Sequence, residues 1–222
     1  MEFEGFDWGS SNEWYQKEIL KEFIDKKIYS KYFDVSEGDL VVDLGASIGP
    51  FGYTIKNKNP KHLYCVEPSL EQIPTLTNNL QGLNHTIINK GISSKEGFDI
   101  FELYGNNIQA SEAESISFKK FIELFNINQI DFLKTDCEGG EYDVFSIDNI
   151  CWLKDNVKLI VGEWHLSTPE LKQKFRVFRD VFLRIFPNHE VHAVCGANIK
   201  WDLWNEHFIE YYNEVIIYID NR

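Results

Sequence analysis

The sequence predicts a doubly wound α/β domain with a mostly parallel sheet, and two observations lead to this class. Apolar runs of strand length alternate with stretches of helical periodicity along the chain, which is typical of a parallel sheet covered by helices on both faces. The apolar run at 40–44 is followed by a glycine-rich turn and by Pro50, which can open a helix. A strand, a tight loop and an exposed helix N-terminus are therefore expected here.

The sheet is predicted from seven apolar runs. We expect strands at 40–44, 62–66, 86–89, 130–135, 157–162, 190–194 and 215–220. Residues 98–104 are predicted to form an outer strand or hairpin. Residues 105–114 are polar and contain Gly105-Asn106-Asn107, so we predict a loop there and interpret it as a candidate lid.

Helices are expected between the strands, and several of their starts carry capping signals. Ser11 or Asn12 is suited to cap a first helix, and Ser117 a later one. Ser167, with Glu170 three residues later, has the pattern of a capping box for a helix that reaches about residue 186. We interpret residues 1–33 as an N-terminal arm and helix, and residues 34–222 as a single domain, because neither a linker nor a repeat interrupts them.

The chain is acidic, with 35 Asp and Glu, 22 Lys and Arg, and a formal net charge of -13. Nucleic-acid binding depends largely on Lys and Arg at the phosphates, and basic residues here form no run longer than two. We therefore expect no nucleic-acid partner and interpret the charge as favouring solubility. The composition leaves a homo-oligomer open.

The cysteines and the N-terminal residues indicate the cellular compartment of the protein. The four cysteines show no C-x-x-C spacing, which favours free thiols in a reducing cytosol over disulfides or a zinc site. The first residues lack the basic region and apolar run of a signal peptide. Because no segment approaches the ~20 apolar residues of a membrane span, we expect a cytoplasmic protein without a membrane partner.

The turn after the first strand is predicted to bind a nucleotide cofactor. Small residues there let a ligand approach the backbone, and a helix N-terminus suits a carboxylate or phosphate. The candidate residues are Asp43, Gly45, Ala46, Ser47 and Gly49. A dinucleotide fingerprint starting at Gly45 would require Gly at Ser47 and Pro50. The acidic-x-Gly-x-x-x-Gly spacing instead looks like motif one of S-adenosylmethionine-dependent methyltransferases, with an ordinary βα turn as the alternative.

A second acid, Glu67, closes the second strand and precedes Pro68. A carboxylate at this distance from the glycines can accept hydrogen bonds from both hydroxyls of a ribose. The alternative is a charge that favours the start of a helix. After the third strand, Gly91-Ile92 or Asn89 is expected beside the adenine.

Acids and a histidine follow the next two strands. Asp136, Glu138 and Glu141 surround two glycines near a helix start, where acids complement the helix dipole. Asp136 differs because it directly ends an apolar strand at the centre of the sheet and is expected to point at the cofactor crevice, so it is also a candidate cofactor-binding residue. Glu163 and His165 end the neighbouring strand, and residues i and i+2 share a strand face. We therefore expect them to converge with Asp136.

Two chemical interpretations of Asp136, Glu163 and His165 stay open. In one, His165 is a general base that takes the proton of a hydroxyl attacking a methyl group, work that suits its ordinary pKa near 6.5. In the other, all three bind a divalent metal ion that lowers the pKa of the hydroxyl and orients it. A hydrogen-bonded structural histidine is the third alternative.

Three segments resemble the FkbM-type methyltransferases. They are Val42-Asp43-Leu44-Gly45-Ala46-Ser47-Ile48-Gly49, then Val66-Glu67-Pro68, and then residues 130–142, Ile-Asp-Phe-Leu-Lys-Thr-Asp-Cys-Glu-Gly-Gly-Glu-Tyr. Glu163-Trp164-His165 is similar to the family as well. The resemblance spans about residues 38–165, and its most specific part is the Lys-x-Asp-x-Glu-Gly-x-Glu stretch.

The resemblance implies a class I methyltransferase fold with a seven-stranded sheet and an antiparallel last strand. It implies S-adenosylmethionine as cofactor, held by Asp43, Gly45 and Glu67, and methylation of a hydroxyl oxygen. We expect the acceptor to be a sugar. A nucleotide-linked sugar that is a precursor of a surface polysaccharide is one specific candidate. The alternatives are the hydroxyl of a polyketide-type or other small molecule and, further off, a nicotinamide-dependent oxidoreductase.

Overall fold

The structure, a computed structural model, describes residues 3–103 and 109–222. The strands are β1 (Leu40–Leu44), β2 (His62–Val66), β3 (His85–Ile88), β4 (Gly91–Ile92), β5 (Gly97–Leu103), β6 (Gln109–Ile116), β7 (Ile130–Thr135), β8 (Val157–His165), β9 (His189–Ala193) and β10 (Glu214–Asp220). The α-helices are α1 (Glu13–Leu20), α2 (Pro50–Thr54), α3 (Ile73–Asn79), α4 (Phe118–Leu124), α5 (Glu141–Val144), α6 (Ile150–Asn156), α7 (Pro169–Val177) and α8 (Glu206–Tyr211). Helix α1 continues into a π-helical turn, Lys21–Asp25, and α7 into a second one, Phe178–Phe182.

The main sheet has seven strands in the order β3-β2-β1-β7-β8-β10-β9. Strand β1 runs parallel to β2 and β7, and the parallel pairing extends outwards to β3 and β8. The last strand, β10, is antiparallel to both β8 and β9. These pairings confirm the predicted doubly wound sheet with an antiparallel last strand.

The capping predictions are confirmed at two helices and wrong at a third. The side chains of Asn12 and Ser117 accept hydrogen bonds from the first turns of α1 and α4. At α7 the cap is Thr168, whose hydroxyl accepts from the backbone N–H of Leu171. Thr168 replaces the predicted Ser167 because Pro169 fixes the first helical position, and the residue before it is held in extended backbone.

The predicted loop at 105–114 is wrong for residues 109–114, which belong to strand β6. Strand β6 pairs antiparallel with β5 and parallel with the short β4, which makes a separate three-stranded sheet. The polar sequence of β6 carries no strand signal of its own, and its pairing with β5 decides its conformation. Gly105-Asn106-Asn107, on which the loop prediction depended, lie outside the described residues.

The core has two parts, one on each face of the main sheet. Adjacent residues of β1 divide between them, with Val42 in one cluster and Val41 in the other, as the alternation of side chains along a strand requires. Both are fully buried. The central strands are thus covered on both sides, and their ligand-facing ends are left for a site.

The N-terminal segment is part of the second core cluster. Phe3 and Phe6 are buried and pack edge to face, and Phe6 also packs against Tyr53, just beyond the β1 turn. The Asn79 side chain accepts from the backbone N–H of Asp7 and donates to its carbonyl. Residues 3–33 therefore form a packed wall beside the cofactor turn. Among the described helices none has the length and apolarity to cross a bilayer.

Candidate active site

A cavity of about 680 Å³ opens at the carboxyl ends of the central parallel strands. Its floor comes from the turns after β1, β2 and β7 and from the end of β8, and one side is the start of β10. Helix α1 and strand β5 supply two further walls. The fold therefore places the cavity where open α/β sheets bind ligands.

The turn after β1 brings the backbone of two strands into contact. Gly45, Ser47 and Gly49 all have positive φ, at 76°, 49° and 89°. A Cβ on Gly45 would lie 1.8 Å from the carbonyl oxygen of Asp136, so no side chain fits there. Gly45 and Ser47 line the cavity.

Asp43 acts on this turn from behind the cavity wall. Its side chain is fully buried at the end of β1, and the ammonium nitrogen of Lys134 lies 3.0 Å from its Oδ1. Lys134 also donates a hydrogen bond of 2.6 Å to the carbonyl of Gly45. Burial raises the pKa of Asp43 to about 6 and Lys134 opposes that rise, so the pair is ionised at neutral pH. Ala46 and Gly49 likewise lie outside the cavity lining.

Glu67 meets the cavity beside Pro68. Its two carboxylate oxygens accept hydrogen bonds of 2.7 Å from the backbone N–H groups of Ser47 and Ser69. Burial raises the pKa of Glu67 to about 7, and these two hydrogen bonds act in the opposite direction. The carboxylate is thus fixed between the turn after β1 and the turn after β2.

Of the predicted adenine-side residues, Ile92 lines the cavity, whereas Gly91 and Asn89 lie behind it. Gly91 is in β4 with Phe101 packed against it, and the following two residues, Ile92 and Ser93, line the cavity in its place. Asn89 donates from its side-chain amide to the carbonyls of Glu67 and Pro68. Its role in the structure is to hold the turn after β2.

His165 lies between two glutamates. Its Nδ1 is 3.2 Å from Oε1 of Glu141, which also accepts the backbone N–H of His165 at 2.7 Å. Its Nε2 is 3.2 Å from Oε2 of Glu138 and 3.9 Å from Oδ1 of Asp136. The imidazole is buried, so its orientation is fixed by the carboxylates on both sides. Burial disfavours the charged ring, but Glu141 and Glu138 outweigh it and raise the pKa of His165 well above its ordinary value.

Asp136 and Glu163 have different surroundings. The Oδ2 of Asp136 accepts a hydrogen bond of 2.9 Å from the hydroxyl of Tyr29 and lies 3.7 Å from the ammonium of Lys134. Glu163 is 7% exposed and faces the cavity. Burial, and then the charge of Asp136, raise the pKa of Glu163 well above its ordinary value.

Possible metal ligands fall into two groups that share His165. One group is Asp136, Glu138 and His165, and the other is Glu163, His165 and Glu214; within each, the ligand atoms lie within 4.8 Å of one another. The structure therefore places Asp136 and Glu163 in different groups, although the sequence suggested one. Glu138 and Glu214 are the additional acids, and Glu138 stands out by its positive φ of 53°.

Residues of the N-terminal segment line the site, which sequence reasoning did not anticipate. Trp14, Tyr15, Glu18 and Glu22 face the cavity from α1 and the turn after it. The Tyr15 hydroxyl is hydrogen-bonded to the Ser47 hydroxyl in the cofactor turn. Burial, and then the charge of Asp136, raise the pKa of Glu22 to about 7. Helical spacing predicted α1 but gave no sign of which side would face a ligand.

Comparison with known families identifies the family of the chain. A family profile described as the methyltransferase FkbM domain matches residues 43–190. The chain belongs to the FkbM methyltransferase family. The matched stretch runs from Asp43 through the ends of β7 and β8, and so contains both sides of the cavity floor. This FkbM-family protein is accordingly an S-adenosylmethionine-dependent methyltransferase, as its sequence resemblance implied.

Solved structures agree on the fold. Fibrillarin from Aeropyrum pernix, in complex with natively bound S-adenosyl-L-methionine, is similar at a TM-score of 0.50 and 12% identity, over 89% of this chain and 74% of that one. An rRNA methylase from Streptococcus thermophilus is similar at a TM-score of 0.51 and 8% identity, over 90% of this chain and 95% of that one. At such identities the likeness concerns the fold alone. No curated protein matches the chain.

Replacing Lys134 with Met should destabilise the fold strongly. The substitution leaves the buried Asp43 carboxylate without its cation, and breaking a buried pair in this way costs about 3–5 kcal/mol. Urea unfolding measures the loss. The matched control is Lys158→Met, which breaks a more exposed pair with Asp131 and should cost less than about 1 kcal/mol. An equal loss in both variants would contradict the role assigned to Lys134, and Asp43→Asn combined with Lys134→Met should recover part of the stability.

Proposed function

We propose that the protein is an O-methyltransferase that transfers the methyl group of S-adenosylmethionine to a hydroxyl of a sugar. The observation that carries this proposal is the placement of His165 in the cavity, with Glu141 holding Nδ1 and Nε2 turned towards Asp136 and Glu138. Transfer of a methyl group to a hydroxyl oxygen requires in-line positioning and removal of the hydroxyl proton. Because Glu141 and Glu138 raise the pKa of His165, the imidazole and its carboxylates together, rather than a lone neutral ring, are the candidate acceptor of that proton.

The cofactor is assigned to the β1–β2 side of the cavity. Each carboxylate oxygen of Glu67 accepts one backbone hydrogen bond, and an ionised carboxylate has about four acceptor positions. Both oxygens can therefore still accept from the two hydroxyls of a ribose. Gly45 and Ser47 offer close backbone approach next to it, while Asp43 holds that turn through Lys134. The bound cofactor supplies the electrophilic methyl group.

The acceptor is assigned to the opposite side. Strands β1 and β7 lie between β2 and β8, and three interstrand steps of about 4.8 Å separate the ends of β2 and β8 by about 14 Å. Glu67 is therefore assigned to the cofactor and His165 to the acceptor. Asp136 lies between them at the end of β7. Because contacting carboxylates and imidazole titrate as a unit, we assign the hydroxyl proton to the His165–Glu138 pair.

Charge narrows the choice of acceptor. Acids line much of the cavity, so a diphosphate would be repelled from it. A nucleotide-linked sugar fits only with its diphosphate outside the cavity, while a free sugar or a polyketide-type hydroxyl meets no such restriction. The net charge of -13 also argues against an RNA acceptor of the kind that the name of the rRNA methylase indicates, since RNA binding requires phosphate neutralisation. The cytoplasmic location stays a prediction.

The function is tested by incubating the protein with labelled S-adenosylmethionine and a panel of sugars, nucleotide sugars and small alcohols. Methyl transfer to a hydroxyl oxygen, located in the product by mass spectrometry, supports the proposal. Transfer to nitrogen or carbon, or none to any hydroxyl, contradicts it. Calorimetry with S-adenosylhomocysteine and NADH tests the nicotinamide alternative, which the family match and the residues at Ser47 and Pro50 disfavour.

The affinity for S-adenosylhomocysteine should fall as the pH is lowered. The pKa of Glu67 is about 7, and only its ionised form accepts from both ribose hydroxyls, so Kd should rise about tenfold between pH 8 and pH 6. Calorimetry across this range measures it. Glu67→Gln should bind more weakly at pH 8 and show little dependence on pH. A flat profile in the unmodified protein would argue against ribose binding by Glu67.

Replacing His165 with Ala should abolish turnover and preserve cofactor binding. Loss of a general acid–base group lowers kcat by about 10²–10⁴-fold, whereas Kd for S-adenosylhomocysteine should not change because His165 lies on the acceptor side. His207→Ala, an exposed histidine on α8, is the matched control and should retain full turnover. Unchanged turnover in His165→Ala would remove His165 from the mechanism.

A divalent metal ion is a second hypothesis for the acceptor side. Carboxylate oxygens and an imidazole nitrogen form a chemically suitable ligand set, and Asp136, Glu138 and His165 present it within 4.8 Å. Glu163, the third ligand expected from sequence, belongs to the neighbouring group. A bound ion would lower the pKa of the acceptor hydroxyl.

On the metal hypothesis, exhaustive chelation should remove turnover and leave S-adenosylhomocysteine binding intact, because the cofactor turn contains none of these ligands. Turnover is measured in metal-free buffer before and after adding back Mg²⁺ or Mn²⁺. Full turnover in the chelated protein would refute the metal requirement and leave the His165–Glu138 pair as the proton acceptor.

A further inference from the structure

We propose that the acceptor carries a positively charged ammonium group, which Glu163 binds together with Glu22 and Glu214. An amino sugar has this chemistry, with hydroxyls next to a protonated amine. The inference rests on the proposed function, because it names the acceptor class of the same site. It concerns the part of the cavity formed by β8, β10 and the turn after α1.

Glu163 is a buried acid to which no described residue donates a hydrogen bond, and a cation bound beside it would favour its ionised form. It is 7% exposed and lines the cavity, and no hydrogen bond or ion pair reaches its carboxylate from any residue in the described ranges. Burying a polar group without a hydrogen bond is costly. A ligand that supplies the missing hydrogen-bond donors would remove this cost. Such a ligand would therefore bind more tightly than one without donors.

Two further carboxylates reach the same place from other elements. Glu214 begins β10 opposite His165 in the register, and its ligand atom lies within 4.8 Å of those of Glu163 and His165. Glu22, in the turn after α1, lines the cavity as well. An ammonium group has three N–H donors, which matches three carboxylates. Of the lining residues that the structure describes, Lys174 is the only Lys or Arg, and its ammonium lies 3.7 Å from Glu170.

An aromatic surface at the cavity mouth fits the same ligand. Trp14 is 61% exposed and lines the cavity. Glu18 follows it by four residues on α1, so the two share a helix face, and Glu18 also lines the cavity. The face of an indole ring attracts cations. Trp14 thus adds a second feature that favours a cationic acceptor over a neutral or anionic one.

The ligand at Glu163 is better described as an ammonium than as a metal ion. The one nitrogen ligand of this group, His165, also belongs to the group of Asp136 and Glu138, to which the metal hypothesis assigns the ion. Glu163 and Glu214 are therefore left as oxygen acceptors for a hydrogen-bond donor.

The test compares three sugars that differ at one substituent. Calorimetry at neutral pH measures binding of D-glucosamine, D-glucose and N-acetyl-D-glucosamine to the protein saturated with S-adenosylhomocysteine. Glucosamine should bind at least about tenfold more tightly than both neutral sugars, since hydrogen bonds between charged groups contribute a difference of that size. In Glu163→Gln the preference should disappear, while Kd for S-adenosylhomocysteine stays unchanged and shows that the site is intact. The control Glu123→Gln removes one exposed charge from α4 and should keep the preference.

Four results would overturn the inference: no binding of glucosamine, equal binding of the three sugars, a preference that persists in Glu163→Gln, or competitive displacement of glucosamine by millimolar Mg²⁺. Failure of this inference is distinguishable from failure of the proposed function. Methyl transfer to the hydroxyls of neutral sugars alone would keep the function and refute the ammonium site. A Glu163-dependent preference for glucosamine without methyl transfer to any hydroxyl would do the reverse.

Discussion

The buried lysine on β7 is the constraint on which the site depends. Lys134 contacts the carboxylate of Asp43 and the carbonyl of Gly45, and it lies 3.7 Å from Asp136. One ammonium group thus ties the end of β1, the cofactor turn and the end of β7 together. Because Lys134 and Asp43 are both buried, water screens their charges little. Their ion pair therefore strongly favours one arrangement of the two side chains.

The same tie explains why the cofactor and acceptor sides keep a fixed separation. The Gly45 turn lies against the carbonyl of Asp136 with no room for a side chain, and Asp136 is held from the other side by Tyr29. The strand ends cannot shift independently. Positioning of two reactants is a large part of the catalysis of transfer reactions, and here it follows from the packing of backbone on backbone.

Local sequence was enough to predict the features that depend on neighbours along the chain. The apolar runs predicted the strands of the main sheet, and the small residues after β1 predicted the cofactor turn, because strand burial and positive φ leave direct traces in residue type. The observed cap of α7, Thr168, differs by one residue from the predicted Ser167. Pro169 holds the residue before it in extended backbone, and the capping-box pattern does not include this restriction.

What could not be predicted depends on contacts between distant residues. Strand β6 exists because β5 pairs with it, and Glu141 reaches His165 although 24 residues separate them. The convergence of Asp136 and Glu163 on one metal was a reasonable expectation from a shared sheet edge. In the structure each of them instead has another acid beside it, Glu138 in a left-handed turn or Glu214 on an antiparallel strand, positions that no local sequence pattern indicates.

The N-terminal wall of the cavity also affects the order in which the parts of the site form during folding. Glu22 and Glu214 face the same cavity, and the hydroxyl of Tyr218 on β10 donates to the carbonyl of Ile28 at 2.7 Å. The site therefore depends on contacts between residues about 190 positions apart, and folds rich in such long-range contacts form more slowly. During synthesis the cofactor turn has its β7 contacts once Lys134 and Asp136 have been made, but the acceptor side stays incomplete until β10 has paired with β8.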